Sequence, residues 1–181
     1  MNDRLTNQWT ATLAEAFGAT GDKGLQGELW MMEVFRSWGW ECTHHPDDRK
    51  LQVAGIDITF RNPKWYNSYT CDIKNNQNEY GTFYVHADWI MKRTYLPDRV
   101  FHVNPDTGWI AWYPTKDMRQ WCNKHPELAN ISKKDSKYWT IKASMKLSFV
   151  TRKRSDVKIN TTPLVAEDIN WNSHLDDEIC Y

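Results

Sequence analysis

The 181-residue sequence lacks any apolar run close to the roughly 18–20 residues that a membrane-spanning helix requires. Its first four residues are followed by polar residues instead of the apolar segment of a secretory signal. These two absences argue against a membrane partner and against secretion, so we expect a cytoplasmic location. The mean hydropathy of −0.75 and the hydrophobic fraction of 40% are typical of a soluble chain, and the length predicts one domain over residues 1–181.

Sequence motifs for common cofactor and nucleophile chemistry are also missing. There is no P-loop, no Gly-x-Gly-x-x-Gly turn and no Gly-x-Ser-x-Gly elbow. The four cysteines have no Cys-x-x-Cys spacing, so we expect reduced thiols. The stretch Cys42-Thr43-His44-His45 leaves zinc open as an alternative, although no second paired motif completes a tetrahedral set of ligands.

The formal net charge is zero, because 23 Lys and Arg residues balance 23 Asp and Glu residues. The balance conceals two segments of opposite sign. Nine basic and two acidic residues give residues 131–160 a net charge of +7, and five acids without a base give residues 161–181 a net charge of −5. A basic segment with interleaved aromatic residues is typical of a surface that follows a nucleic-acid backbone, with a solvated basic face as the alternative. The candidate contacts are Lys133, Lys134, Lys137, Arg152, Lys153 and Arg154.

Hydrophobic periodicity predicts an α/β fold, with α+β as the alternative, in which helices flank a mixed central sheet. Helices are expected over residues 4–17, 25–37, 87–93 and 115–124, the last with Thr115 as its N-cap. Strands are expected over residues 40–45, 52–60, 69–74, 82–86, 99–103, 109–113, 138–141 and 147–150. The core would span about residues 23–115, with the basic segment and the acidic tail appended.

Two short acidic motifs fall on neighbouring predicted strands. Asp57 lies in the apolar stretch 53–60, and the next strand contains Asp72 and Lys74. Because Asp72 and Lys74 are two residues apart, their side chains should project from the same face of that strand. Burying two carboxylates and an ammonium together is costly without a shared ligand, and hard cations prefer carboxylate ligands. The motifs therefore predict a divalent-metal site with a lysine beside it.

The helix that precedes these strands contributes a further candidate acid. Glu28 follows Gly24 and Gly27, and we expect its carboxylate to lie near the two aspartates. Glu33 is the alternative on the same helix. It lies five residues further on and points about 140° away on an ideal helix.

This order of elements resembles the PD-(D/E)XK nuclease superfamily: a helix with an acid, a strand, an Asp on a second strand and Asp-x-Lys on a third. The stretch Lys23–Glu28, followed by Trp38-Gly39-Trp40, looks like the start of the Holliday-junction resolvase-like branch. The resemblance covers roughly residues 23–75. It departs from the usual pattern in two places, since Ile56 replaces the proline before the first Asp and Asp72 replaces the more common Glu.

The resemblance implies a restriction-endonuclease-like core and a role for each residue. Asp57, Asp72 and the Ile73 carbonyl would hold Mg²⁺ or Mn²⁺, and Glu28 would bind a second ion or bind through water. Lys74 would orient or deprotonate the attacking water. The implied function is a metal-dependent endonuclease that cuts DNA, with branched or flapped substrates and a homodimer suggested by the resolvase-like start and RNA left open. The alternative is a catalytically inactive nucleic-acid-binding or assembly protein with the same core.

Overall fold

The computed structural model describes residues 23–76, 81–132 and 136–158. The predicted helix over residues 4–17, the acidic tail 161–181 and the candidate contacts Lys133 and Lys134 lie outside the described residues. None of the described helices combines the length and the apolar character that crossing a bilayer requires.

The larger of two sheets has six strands, which are β1 (Glu41–His44), β2 (Ile58–Arg61), β3 (Tyr69–Asn75), β5 (Arg99–Asn104), β6 (Trp109–Pro114) and β9 (Thr151–Arg154). Their order across the sheet is β1-β2-β3-β5-β6-β9. Strands β3 and β5 are parallel, and every other neighbouring pair is antiparallel, so the sheet is mixed. The predicted α/β class is therefore confirmed.

Helix α1 (Lys23–Ser37) covers one face of this sheet, as its apolar spacing predicts. Its buried residues Trp30 and Phe35 pack with Phe60, Ile73 and other side chains in a first hydrophobic cluster. The amino-terminal part of α1 approaches β3 closely at Gly27. A Cβ built at Gly27 would lie 3.0 Å from the Asn75 Cβ, so a larger residue would push the helix away from the strand.

A second hydrophobic cluster lies on the opposite face of the six-stranded sheet. There Val100 and Tyr113 pack against a smaller sheet and two helices. The additional elements are β4 (Phe83–His86), α3 (Ala87–Lys92), α4 (Thr115–Lys124), a 3₁₀ turn (Pro126–Leu128), β7 (Ala129–Ile131) and β8 (Lys137–Ile141). The smaller sheet is antiparallel, in the order β4-β8-β7. The structure confirms several of the predicted elements within one residue at each end. They are the strands 82–86 and 138–141, the helices 87–93 and 115–124 and the hairpin 99–113.

The predicted strand 52–60 is wrong in its first half, because helix α2 (Arg49–Ala54) occupies that part of the chain. The Asp48 carboxylate accepts hydrogen bonds from the Lys50 and Leu51 N–H groups, which caps the helix. Gly55 ends it in the left-handed conformation, with φ = 70°. The strand begins only at Ile58, so Asp57 precedes β2 instead of lying within it.

Two further local predictions are wrong. Residues 147–150 form a turn, closed by a hydrogen bond from the Val150 N–H to the Leu147 carbonyl, and the strand β9 starts at Thr151. Thr115 is the first residue of α4, whose N-cap is Pro114 without a side-chain hydrogen bond. The Thr115 hydroxyl is instead buried without a hydrogen-bond partner among the described residues.

Replacing Gly55 by alanine is expected to lower the free energy of unfolding by about 1–3 kcal/mol, because a non-glycine residue is strained at this φ. The added Cβ would also lie 2.7 Å from the Arg93 Nη1. Urea unfolding measures the change. Gly39→Ala is the matched control for the backbone strain alone, since Gly39 has φ = 71° and no neighbouring atom within 4 Å of the built Cβ. It should therefore lose less stability than Gly55→Ala. An unchanged stability in Gly55→Ala would contradict this account of the end of α2.

Candidate active site

Asp57 lies where β2 separates from β3. Its N–H still donates to the Cys71 carbonyl at 2.9 Å, which extends the strand pairing by one residue. Before it, the chain turns away, and the Ile56 N–H donates to the Leu51 carbonyl. The Asp57 Oδ2 accepts a hydrogen bond from the Ile73 N–H at 2.7 Å. The Asp57 side chain therefore pairs with a β3 backbone group that β2 no longer reaches, and this contact fixes the carboxylate beside β3.

Asp72 and Lys74 form an ion pair on the face of β3 opposite α1. The Lys74 Nζ lies 2.7 Å from the Asp72 Oδ1, as expected for residues two apart on a strand. Asp72 is only 1% exposed, whereas the Lys74 side chain is 49% exposed. The other oxygen of Asp72, Oδ2, is buried and has no hydrogen-bond partner in the described part of the chain.

The two aspartates perturb each other. Burial is the main cause that raises the pKa of the Asp72 carboxyl from 3.8 to about 7. The Lys74 ammonium opposes this rise of the pKa, whereas the charge of the Asp57 carboxylate contributes to it. Burial, together with the same two carboxylates, also raises the pKa of the Cys71 thiol. The structure thus brings Asp57, Asp72 and Lys74 together, and the single ammonium leaves a surplus of negative charge.

These residues fit a hard divalent cation. They offer two carboxylates, which are oxygen ligands of the kind that Mg²⁺ and Mn²⁺ prefer. The unpartnered Asp72 Oδ2 is a buried acceptor that a cation would satisfy. Among the described residues, however, no group of three or more His, Cys, Asp or Glu side chains is placed to hold a metal. The fit therefore rests on two carboxylates.

Glu28 is directed to a different partner. Its Oε2 lies 2.6 Å from the His44 Nε2, and His44 belongs to β1. Glu28 belongs to α1, which packs against the face of β3 that contains Cys71 and Ile73, opposite the Asp72–Lys74 pair. Within the described ranges the structure does not combine Glu28 with the two aspartates in a three-ligand group, and its role as a ligand stays a prediction. The alternative Glu33 pairs with Arg36.

The residues of the alternative zinc site are also engaged elsewhere. The Cys42 thiol donates to the Met32 carbonyl at 3.8 Å, and His44 pairs with Glu28. In the part of the chain that the structure describes, these side chains form no group of three potential metal ligands. The geometry gives no support to zinc.

A cavity of about 630 Å³ opens beside Lys74. On its floor lies His102, which pairs with Lys74 across the parallel strands β3 and β5. The His102 ring stacks on Phe83 with ring centroids 4.2 Å apart, and its Nε2 lies 3.3 Å from the Tyr113 hydroxyl. Burial, with smaller effects of the Lys74 and His86 charges, lowers the pKa of His102 to about 3, so its imidazole is neutral. No sequence signal singles out His102 beyond its position as a polar residue within the apolar strand β5.

The candidate nucleic-acid contacts that are described lie on different faces. Lys153 faces the α1 side, with its Nζ 5.2 Å from the centre of the Trp38 ring. Arg152 faces the other side, where it donates to the carbonyls of Lys142 and Met145. Exposed positions on β9 and β8 are occupied by Arg154 and Lys137. The described residues of the segment therefore do not form one continuous basic face, and Arg152 has a structural role.

Known proteins give no further guidance, because no family model, curated protein or solved structure matches this chain.

Asp72→Asn is expected to stabilise the metal-free protein at pH 8 by a few kcal/mol, on the order of 2–4, because one unit of pKa corresponds to about 1.4 kcal/mol. The folded-state pKa of about 7 exceeds the value of roughly 4 in an unfolded chain. Between these values the folded protein binds a proton that the unfolded chain does not, so the free energy of unfolding falls as pH rises and is level above pH 7.

Urea unfolding in EDTA, repeated from about pH 4 to pH 8, measures this difference. The gap between wild type and Asp72→Asn should close toward pH 4. The exposed turn residue Asp106 supplies the control variant Asp106→Asn, which should follow the wild type at every pH. A gap that does not vary with pH would contradict the predicted ionisation of Asp72.

Proposed function

We propose that this protein is a divalent-metal-dependent nuclease that hydrolyses phosphodiester bonds of nucleic acid, with DNA as the expected substrate. The observation that carries the proposal is the convergence of Asp57 and Asp72 beside Lys74 at the edge of an open cavity. Two carboxylates with one neighbouring ammonium suit a reaction in which a cation and a lysine together face a phosphate.

Asp57, Asp72 and the Ile73 carbonyl would hold the cation. When bound, Mg²⁺ or Mn²⁺ supplies a Lewis acid that stabilises negative charge on the phosphoryl oxygens. The protein contributes the fixed position of its ligands. The Ile73 N–H holds the Asp57 carboxylate, and burial beneath the cavity holds Asp72.

Lys74 would act on the water and the phosphate. Its ammonium has three N–H donors, of which one points to the Asp72 Oδ1 at 2.7 Å. Because half of the Lys74 side chain is exposed, the remaining donors can reach an attacking water or a phosphate oxygen in the cavity. A donor held in place in this way stabilises the charge that develops on the phosphorus centre.

Lys74→Ala and Asp57→Asn are each expected to reduce Mg²⁺-dependent cleavage by at least about 100-fold, because each removes a group from the reacting centre. The amide oxygen introduced by Asp57→Asn would still accept the Ile73 N–H, so the fold should survive. Gel assays on single-stranded, duplex, flapped and branched DNA and on RNA measure the effect. Lys116→Ala, on the exposed surface of α4, is the control and should cleave as the wild type does.

Undiminished cleavage in either variant would overturn the assignment of the site. If the wild type cleaves none of these substrates, yet binds nucleic acid in the presence of a chelator, the chain is instead a non-catalytic nucleic-acid-binding protein.

Millimolar Mg²⁺ is expected to raise the melting temperature of the wild type, since a ligand that binds only the folded state stabilises it, by about 2.7 kcal/mol at one hundred times its Kd. Asp57→Asn should lose most of this rise because it removes one of the two ligating charges. Differential scanning fluorimetry across a Mg²⁺ series measures the shift without reference to activity. The control is Asp106→Asn, and an equal rise in Asp57→Asn would exclude Asp57 as a ligand.

A further inference from the structure

The cavity beside Lys74 is larger than hydrolysis alone requires. Its volume of about 630 Å³ is in the range of sites that enclose a small molecule, roughly 300–1,000 Å³. Three parts of the fold enclose it: the floor belongs to β5 and β6, one wall to β4, and another wall to α3 and Arg93. Of the three site residues, Lys74 lines this cavity, whereas Asp57 and Asp72 do not, so Lys74 connects the reacting centre with this space.

The walls combine flat rings with backbone hydrogen-bonding groups. Tyr84, His86 and Trp89 line the cavity, and Val100 provides an apolar patch on the floor. The Tyr84 and His86 rings border it from β4, where they pack beside Tyr138 with ring centroids 5.6 and 6.0 Å away. Strand β4 is the edge strand of its sheet, with β8 on one side and no strand on the other in the described ranges. A strand edge offers alternating N–H and C=O groups. Flat apolar surfaces beside donors and acceptors suit a nucleobase, which has two stacking faces and a polar edge.

Two cationic side chains line the cavity, and they lie at different sides of it. Lys74 lies at the side of the reacting centre, and Arg93 lies at the α2 side, where its Nη1 donates to the Val53 carbonyl at 3.4 Å. The carboxylate of Asp88 is paired with Lys92. The His102 imidazole on the floor is neutral. A nucleotide satisfies this pattern, since its phosphate would lie at Lys74 and its uncharged base would occupy the remaining space.

We propose that the cavity binds one unpaired nucleotide of the substrate strand, with its base among Tyr84, His86 and Trp89 and its phosphate at Lys74. This inference deepens the proposed function and depends on it, because it defines the substrate as single-stranded or locally unpaired nucleic acid. A base within a duplex would have to leave its stack to enter the cavity. Leaving the stack costs a few kcal/mol in paired DNA, and it costs less at a mismatch, a flap or a junction.

The test is fluorescence anisotropy of the full chain in EDTA, with a fluorescein-labelled DNA strand of about 12 nucleotides and the same strand annealed to its complement. The single strand should bind at least about tenfold more tightly than the duplex. Tyr84→Ala and His86→Ala should each weaken binding of the single strand by roughly tenfold, because each removes a stacking ring. Both variants should fold, because Tyr84 is 45% exposed, His86 makes no capping hydrogen bond through its side chain at the start of α3, and each loses only a ring contact with Tyr138 at the surface of the smaller sheet.

Tyr66→Ala is the matched control, since Tyr66 is 98% exposed and does not line the cavity. It should bind the single strand as the wild type does. Unchanged binding in both Tyr84→Ala and His86→Ala would overturn the proposal, as would equal affinity for the strand and the duplex. Displacement of the strand by dAMP at micromolar concentration would also overturn it, because the cavity would then be a site for free nucleotides.

The two proposals fail separately. If Mg²⁺-dependent cleavage is absent while the two cavity variants lose single-strand binding, the nuclease assignment fails and the nucleotide site stands. If the wild type cleaves and both cavity variants bind and cleave as it does, the nucleotide site fails and the nuclease assignment stands.

Discussion

The hydrogen bond from the Ile73 N–H to the Asp57 carboxylate determines the layout of the site. Strand β3 has β2 on one side and β5 on the other. Where β2 departs, β3 would have an unsatisfied N–H at the middle of a sheet, and a side chain provides the acceptor. The fold therefore needs a carboxylate or an equivalent acceptor at position 57 for backbone reasons. The hydrogen bond to Ile73 also holds the Asp57 carboxylate next to Asp72. Asp57 therefore serves the backbone of β3 and the proposed catalytic arrangement at the same time.

The surplus negative charge at Asp57 and Asp72 destabilises the metal-free fold, and a bound cation would offset this effect. Asp72 is buried with one oxygen unpartnered among the described residues and with a raised pKa, which is unfavourable for the fold in the absence of a cation. Two hydrophobic clusters, on opposite faces of the larger sheet, supply the stability that tolerates this local cost. Stability given up at a binding site in this way is common where the bound ligand later compensates for it.

The parts of the fold that could be predicted are those with a local signal. The apolar spacing of α1 and the alternation around Asp72 and Lys74 are visible within a few residues. Helix α2 was missed because it is short and exposed, although Asp48 and Gly55 are its capping signals. The partners of Glu28 and His102 depend on strands that are distant in sequence, and the parallel pairing of β3 with β5 has no local signature. The short acidic motifs therefore predicted that the two aspartates and the lysine lie close together. They gave no indication of the cavity beside Lys74.

The ion pair of Asp72 and Lys74 has a consequence for how this chain can diverge. Loss of Lys74 alone would leave the buried Asp72 carboxylate without its ion-pair partner, so an apolar residue at position 74 is expected only together with loss of the acid at position 72. Asp57 is under a second constraint from the β3 backbone, and its position should keep an acceptor such as an asparagine amide. A relative that lacks the ion pair would thus be recognisable by a preserved acceptor at position 57 beside an apolar pair at positions 72 and 74.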